Sequence, residues 1–291
     1  MVGGKPLVIR TTSRLAGAID SVRWDGVEFI DSHDHGRQLQ SAINADVDGV
    51  FHAECYNPTE AGSVVDALGP RSTSRLEFLE LKDGVLATRT RMAYWLAPGM
   101  KSHGQPAQNR ELLSGHLLAK QVRIGRPGMD HVLDYRVTFT VPADRPHRFL
   151  QFEALTGYMP AAFSEALSFD AKVGALVPRS RRNGELREPV VLSTPSGDHA
   201  MGVFTPDRPP AGQPSRRLWQ LRVSRGQGRE VELRLPLAPV RSHPARGPCV
   251  PALCGAGHPG GLPPYAGRLG ARVSVTLSDL AVSSDAARVA G

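Results

Sequence analysis

The chain has 291 residues, a hydrophobic content of 41% and a formal net charge of +7, from 35 Lys and Arg against 28 Asp and Glu. This length and apolar content allow a sizeable core, in one large all-β domain or two small ones. The basic residues are scattered along the chain and do not alternate with aromatic residues, so the positive charge predicts no nucleic-acid partner.

The N-terminus has no apolar segment of the kind found in signal peptides, and no run approaches the ~18 apolar residues of a membrane span. We therefore expect a soluble protein without a membrane partner, either cytoplasmic or secreted with its leader removed. The three cysteines, Cys55, Cys249 and Cys254, predict reduced thiols or at most one bridge. The oligomeric state stays open.

Two hairpins open the strand pattern. Residues 17–24 alternate between apolar and polar, turn at Asp25-Gly26 and continue as a strand over 27–30. Residues 74–81 and 85–95 flank a second turn at Asp83-Gly84 in the same way.

The rest of the chain continues in strands. Residues 112–124 fit a helix or a strand, and 132–141 have the strongest β pattern. Further strands are predicted at 149–155, 190–192, 200–204, 218–223, 230–235 and 272–277, with an irregular Pro- and Gly-rich segment at 238–269. No amphipathic helix of three turns and no βαβ alternation occurs. The pattern predicts an all-β fold, a large antiparallel two-sheet β-sandwich, as one domain over 1–280 with a tail at 281–291.

Polar side chains crowd into residues 31–63. In the first half, an extended backbone would place His33, His35 and Arg37 on one face. Arg37 offers a planar donor fork, and Gln38 and Gln40 can each donate to and accept from sugar hydroxyls. The competing interpretation is a polar edge strand with structural histidines.

In the second half of this stretch, Pro58 and Gly62 stiffen the loop around them. The side chains that this loop presents suit a substrate rim, and the substrate-binding candidates are His52, Tyr56 and Asn57. The candidate general bases are Glu54 and Glu60, with His35 as the matching acid. The alternative is a structural turn with solvated carboxylates.

Glu153 lies on an otherwise apolar strand, just before Gly157-Tyr158. A carboxylate in this position either faces a cleft or pairs with a buried arginine. Desolvation would raise its pKa and suit it to acid/base catalysis, so Glu153 is a further catalytic candidate and Tyr158 a binding candidate.

A second class of function is a metal-dependent jelly-roll enzyme. His33 and His35 would supply two ligands, and His52 or Glu54 the third. The chain has no P-loop, no dinucleotide-binding glycine motif and no Gly-x-Ser-x-Gly elbow, so no cofactor is predicted.

The strand, Asp-Gly turn and strand of residues 17–30, followed by His35-Gly36-Arg37, resemble the start of the galactose-mutarotase superfamily. This resemblance implies the antiparallel supersandwich fold and makes Arg37 a sugar ligand. The mid-chain strand from Phe152 to Tyr158 lacks the Asn-His pair of aldose epimerases, and no glutamate follows Glu232. A branch that hydrolyses, eliminates or isomerises a carbohydrate therefore fits better than a simple mutarotase.

The sequence predicts a carbohydrate-active enzyme, with a non-catalytic carbohydrate-binding module as the alternative. Both would take a sugar as partner, and the basic charge is compatible with an acidic glycan such as a uronate polymer.

Overall fold

The structure, a computed structural model, describes residues 3–142, 147–179, 184–186, 189–205, 219–226, 228–241 and 267–278. Two short 3-10 turns, at Ser13–Leu15 and Val64–Asp66, are the helical elements in these ranges. The strands are β1 (Leu7–Thr11), β2 (Ile19–Trp24), β3 (Val27–Glu28), β4 (Gln40–Ala45), β5 (Pro58–Thr59), β6 (Arg75–Lys82), β7 (Val85–Tyr94), β8 (Lys101–Ser102), β9 (Gln105–Pro106), β10 (Leu113–Arg126), β11 (Met129–Val141), β12 (Phe149–Met159), β13 (Glu165–Asp170), β14 (Ala175–Pro178), β15 (Gly184–Leu186), β16 (Val190–Ser193), β17 (Ala200–Phe204), β18 (Trp219–Gly226), β19 (Gly228–Arg241) and β20 (Gly267–Ser278).

One long antiparallel sheet dominates the fold. Its strand order is β14-β13-β16-β17-β20-β11-β10-β7-β5-β4-β12-β19-β18-β15, and β6 pairs with β7 beside this path. β1, β2 and β3 form a separate small sheet, and β8 and β9 a hairpin. The all-β prediction is confirmed.

The long sheet folds over on itself and encloses the core. β11 and β12 lie far apart in the strand order, yet the rings of Phe139 and Phe152 on these strands have centroids 5.2 Å apart. Tyr135 of β11 likewise reaches Ser41 of β4, with the two hydroxyl oxygens 3.1 Å apart. Strands from both halves contribute to one buried apolar cluster. This contact across two layers is the predicted sandwich.

Both predicted Asp-Gly turns are confirmed. Asp25 and Gly26 have φ values of 51° and 77°, and Trp24 pairs with Val27. Residues 83 and 84 have φ values of 50° and 72°, and Lys82 pairs with Val85. Two positive φ angles in a two-residue loop are the hairpin geometry that Asp-Gly favours.

Other boundaries differ from the prediction. Residues 112–124, which fitted a helix or a strand, lie mostly in β10. β19 continues to Arg241, into the segment predicted as irregular. Residues 242–266 and the predicted tail at 281–291 lie outside the described residues, as do Cys249 and Cys254, and the single-domain boundary stays a prediction. Cys55 is a buried free thiol. In the described residues no helix is long and apolar enough to cross a membrane.

A buried ion pair lies in the core below β4 and β5. The side chains of Glu60 and Lys120 are both 0% exposed, with Lys120 Nζ 2.5 Å from Glu60 Oε1. Lys120 Nζ also donates to the carbonyl of Gly17 at 2.6 Å, and the Ser41 backbone N–H donates to Glu60 Oε2 at 3.2 Å. Burial raises the pKa of Glu60, and the positive charge of Lys120 offsets part of that rise.

His116 is enclosed by aromatic rings on the same side of the core. It is 1% exposed, and its ring centroid lies 6.2 Å from that of Tyr56 and 6.5 Å from that of His147. Neither ring nitrogen has a hydrogen-bond partner among the described residues. Burial, helped by the neighbouring His147, lowers the pKa of His116 to about 3.

Acid is therefore expected to destabilise the protein through His116. Below about pH 6.5 the unfolded chain takes up a proton that the folded His116 refuses, so the unfolding free energy falls by about 1.4 kcal/mol per pH unit from this one group. Urea unfolding at about pH 7 and about pH 5 measures the loss. His116→Phe is expected to reduce it, whereas the control His131→Phe, at a half-buried position, leaves it unchanged. An equal loss in wild type and His116→Phe would contradict this assignment.

Candidate functional site

A cleft of about 220 Å³ opens on the face of the sheet that carries β4, β5 and β12. Alternate residues of β4, namely Gln40, Ala42 and Asn44, line its floor, while Ile43 between them belongs to the core. Thr59 of β5 joins them because it is the register partner of Ala42. All six residues of β4 are buried, because one face packs on the core and the other lies under the cleft.

Two glutamates lie on opposite sides of Asn44. Glu153 is the register partner of Ala42 on β12, is 4% exposed, and accepts a hydrogen bond from Asn44 Nδ2 at 3.1 Å. The backbone N–H of Glu54 donates to Asn44 Oδ1 at 3.1 Å, and its carboxylate accepts from Ser102 Oγ at 2.6 Å. Both glutamates line the cleft. The amide of Asn44 therefore ties together the two segments that bring carboxylates to this site.

Arg37 forms one wall of the cleft with Tyr158. The guanidinium carbon lies 5.0 Å from the centre of the Tyr158 ring, a cation–π contact. Arg37 Nε is 2.5 Å from Asp34 Oδ1, and Nη1 is 3.7 Å from Asp31 Oδ2. The backbone N–H of Tyr158 donates to the Arg37 carbonyl at 3.0 Å, which fixes the two residues side by side. The positive charge is thus held at the cleft by two carboxylates, one of which, Asp34, also lines it.

His35 and Trp95 form the other wall. Their rings are stacked, with centroids 6.0 Å apart and an interplanar angle of 5°. Gly36 allows this close approach: its φ is +93°, and a Cβ there would lie 2.6 Å from the Trp95 ring.

The imidazole of His35 is almost completely enclosed. Its side chain is 3% exposed, and by geometry neither ring nitrogen has a hydrogen-bond partner among the described residues. Burial lowers the pKa of His35, and Asp66, with Oδ2 3.8 Å from Nε2, only partly opposes this. His35 is therefore a neutral imidazole at neutral pH.

The expectation that His33, His35 and Arg37 share one face is wrong, because residues 31–38 form turns and not a strand. His33 is 55% exposed, and its Nδ1 lies 2.6 Å from Asp31 Oδ1. Since His35 packs on Trp95, the two histidines do not converge. No group of three or more His, Cys, Asp or Glu in the described part of the chain is placed to hold a metal ion.

Of the residues singled out in the sequence, seven line the cleft: His35, Arg37, Gln40, Glu54, Asn57, Glu153 and Tyr158. Asn57 and Gln40 already use their amides within the protein. Asn57 Nδ2 donates to the Ile43 carbonyl at 2.5 Å, and Gln40 Oε1 accepts from the Ala61 backbone N–H at 2.9 Å. These two residues shape the cleft more than they offer free groups to a ligand.

The other four are elsewhere. Glu60 is the partner of Lys120 in the core, and Tyr56 packs on Tyr94 with ring centroids 4.7 Å apart. Gln38 is fully buried and uses its amide to close the turn, accepting from the Gly36 backbone N–H at 2.9 Å. His52 is half-buried and does not line the cleft.

Sequence reasoning missed Asn44, Trp95, Asp34 and Thr156, which also line the cleft. Asn44 could have been found from the two-residue period that starts at Gln40 and continues along β4. Trp95 directly follows β7, and nothing local indicates that this strand ends beside Gly36.

No family model and no curated protein matches this chain. Among solved structures it is similar to a galactose mutarotase related enzyme from Lactobacillus acidophilus, with a TM-score of 0.45, 10% identity, and coverage of 94% of this chain and 97% of that one. It is also similar to a protein in glycosyl hydrolase family 38 from Enterococcus faecalis (TM-score 0.45, 11% identity, 94% and 29% coverage). A third match is an alpha-galactosidase from Lactobacillus brevis (0.41, 8%, 94% and 38%). The chain spans less than half of the length of the last two proteins.

Proposed function

We propose that this protein is a carbohydrate-active enzyme that performs acid/base chemistry on a sugar in the cleft. The observation that carries the proposal is the composition of this single cleft. It combines three carboxylates, of Asp34, Glu54 and Glu153, with a neutral histidine, an arginine and two aromatic rings.

Binding would use the two walls. The faces of Trp95 and Tyr158 suit the apolar C–H faces of a sugar ring, and the fork of Arg37 suits vicinal hydroxyls or a carboxylate. At about 220 Å³, the cleft is smaller than the range of about 300 to 1,000 Å³ typical of pockets for drug-sized ligands. It therefore suits one sugar unit, with the rest of a longer glycan lying outside.

Proton transfer would use Glu153 and Glu54. Both line the cleft. Asn44 holds the carboxylate of Glu153 and the backbone of Glu54, and Ser102 holds the carboxylate of Glu54. His35 is neutral, so it serves as a proton acceptor or hydrogen-bond partner and not as the general acid expected from the sequence. The acid and base of the reaction would then both be carboxylates, which is the arrangement of glycoside chemistry.

A panel of mono- and oligosaccharides followed by NMR tests this function. Anomeric exchange, a new reducing end or an unsaturated product would identify isomerisation, hydrolysis or elimination. A sugar that binds in calorimetry but stays unchanged after long incubation would indicate the non-catalytic binding module. Absence of both binding and turnover across the panel would contradict the proposal.

Arg37→Lys is expected to weaken sugar binding about tenfold, because lysine keeps the charge but loses the planar fork and the contact with Tyr158. Isothermal titration calorimetry with the best-binding sugar measures the change. The control Arg23→Lys alters an exposed arginine on β2 and leaves the affinity unchanged. Equal affinities of wild type and Arg37→Lys would contradict a role for the Arg37 guanidinium in sugar binding.

A further inference from the structure

The face of the sheet that carries the cleft continues past it. Glu153, Ala42, Thr59 and Ala93 are successive register partners across β12, β4, β5 and β7. Partners in antiparallel ladders point to the same face, so Ala93 lies on the cleft side of the sheet. Residues two and four positions before it on β7 share that side.

Those positions, and the strands next to them, carry arginines. Arg91 and Arg89 on β7 are 38% and 57% exposed in their side chains. Beyond β7, Arg123 of β10 and Arg136 of β11 are exposed, the latter at 55%. Residues 89, 91, 123 and 136 are here termed the arginine face.

Carboxylates on this face are fewer than cations. Glu77 lies between two guanidiniums, 3.3 Å from Arg89 and 3.1 Å from Arg91, and Asp134 lies 3.2 Å from Arg136. The register places three further charged residues of β6 on the same side, the cations Arg75 and Lys82 and the anion Glu80. With the charged residues at the ends of these strands included, seven cations among the described residues of this region face five carboxylates: Arg75, Lys82, Arg89, Arg91, Arg123, Arg126 and Arg136 against Glu77, Glu80, Asp83, Asp130 and Asp134.

Two shallow hollows lie on this face. One, of about 290 Å³, is lined by Gln121, Arg123 and Arg136 among others. The second, of about 350 Å³, lies at the β10–β11 turn and is lined by Arg123 and Arg126 together with Asp83 and Asp130. Arg123 borders both, so guanidinium donors reach two adjoining depressions.

We propose that the arginine face is a second binding surface, which holds a carboxylated polysaccharide of the polyuronate type while one sugar unit occupies the cleft. The link to the cleft rests on the proposed function, whereas the polymer contact rests on the arginines themselves. Planar guanidinium forks match carboxylates spaced along a chain. The net positive charge of this face attracts an anionic chain, and duplex DNA is the polyanion against which the polyuronate is tested.

The test compares two double variants of the full chain. Arg123→Ala with Arg136→Ala removes two cations from the arginine face. The control, Arg23→Ala with Lys172→Ala, removes two exposed cations from β2 and from the turn after β13. Fluorescence anisotropy with labelled polygalacturonate is expected to show about tenfold weaker binding for the first pair and no change for the second. Added salt weakens binding of the wild type, because exposed charges are screened.

Monomeric galacturonate, neutral dextran and duplex DNA complete the experiment. Loss of polygalacturonate affinity with monomer binding unchanged supports two separable surfaces. If no sugar monomer binds the cleft but the arginine variants still lose the polymer, the arginine face stands and the proposed function fails. Equal polymer affinity in both double variants, no polymer binding by the wild type, or tighter binding of DNA than of polygalacturonate would each overturn the proposal.

Discussion

Glu153→Gln is expected to lower kcat about 10²- to 10⁴-fold while KM changes little. The substitution keeps the size of the side chain and an oxygen that can accept from Asn44 Nδ2, so the cleft retains its shape. It removes the carboxylate that we propose exchanges a proton with the sugar. Steady-state kinetics on the substrate found in the NMR panel give both constants.

Two comparisons make this result specific. Glu111→Gln, at an exposed position outside the cleft, is expected to retain full activity. Glu54→Gln tests the second carboxylate, and a loss there would establish that both participate. A Glu153→Gln variant with wild-type kcat would show that another group transfers the proton. Glu153 would then contribute to sugar binding only.

Lys120→Met is expected to lower the free energy of unfolding by about 3 to 5 kcal/mol. The side chains of Lys120 and Glu60 are fully buried, so removing the cation leaves an uncompensated carboxylate in the core. Urea unfolding of wild type and variant measures the loss. The double variant Lys120→Met with Glu60→Gln removes both charges and is expected to recover much of it. A double variant as unstable as the single one would show that packing, and not the ion pair, is responsible.

The loss of unfolding free energy caused by Lys120→Met also depends on pH. Burial raises the pKa of Glu60, and without Lys120 the rise is larger. The folded variant then holds a proton that the unfolded chain releases above its ordinary pKa of about 4.3. Its stability relative to wild type is therefore greatest at low pH and falls as pH rises through the folded-state pKa. Unfolding at about pH 5 and about pH 8 tests this sign, and a constant difference would contradict it.

The strands were predictable because the signals for them are local. The turns at Asp25-Gly26 and Asp83-Gly84 need only two residues with positive φ, and the alternation along residues 132–141 needs only one buried face. Residues 112–124 were ambiguous because apolar side chains recur there at spacings that suit either a helix or a strand. Only the pairing of β10 with β7 and β11 decides it.

The candidate site was predictable in composition but not in geometry. The crowding of polar types within residues 31–63, together with Glu153 and Tyr158, depends on residue identity alone, and seven of those residues do line one cleft. Their individual roles depend on contacts distant in the chain. Glu60 faces Lys120, sixty positions away, and His35 stacks on Trp95, so one carboxylate enters the core and one histidine loses its charge. Local sequence determines that β-strands and turns form, because backbone preferences act over a few residues. The tertiary fold determines which side chains are buried together, because burial and ion pairing join residues that the sequence keeps apart.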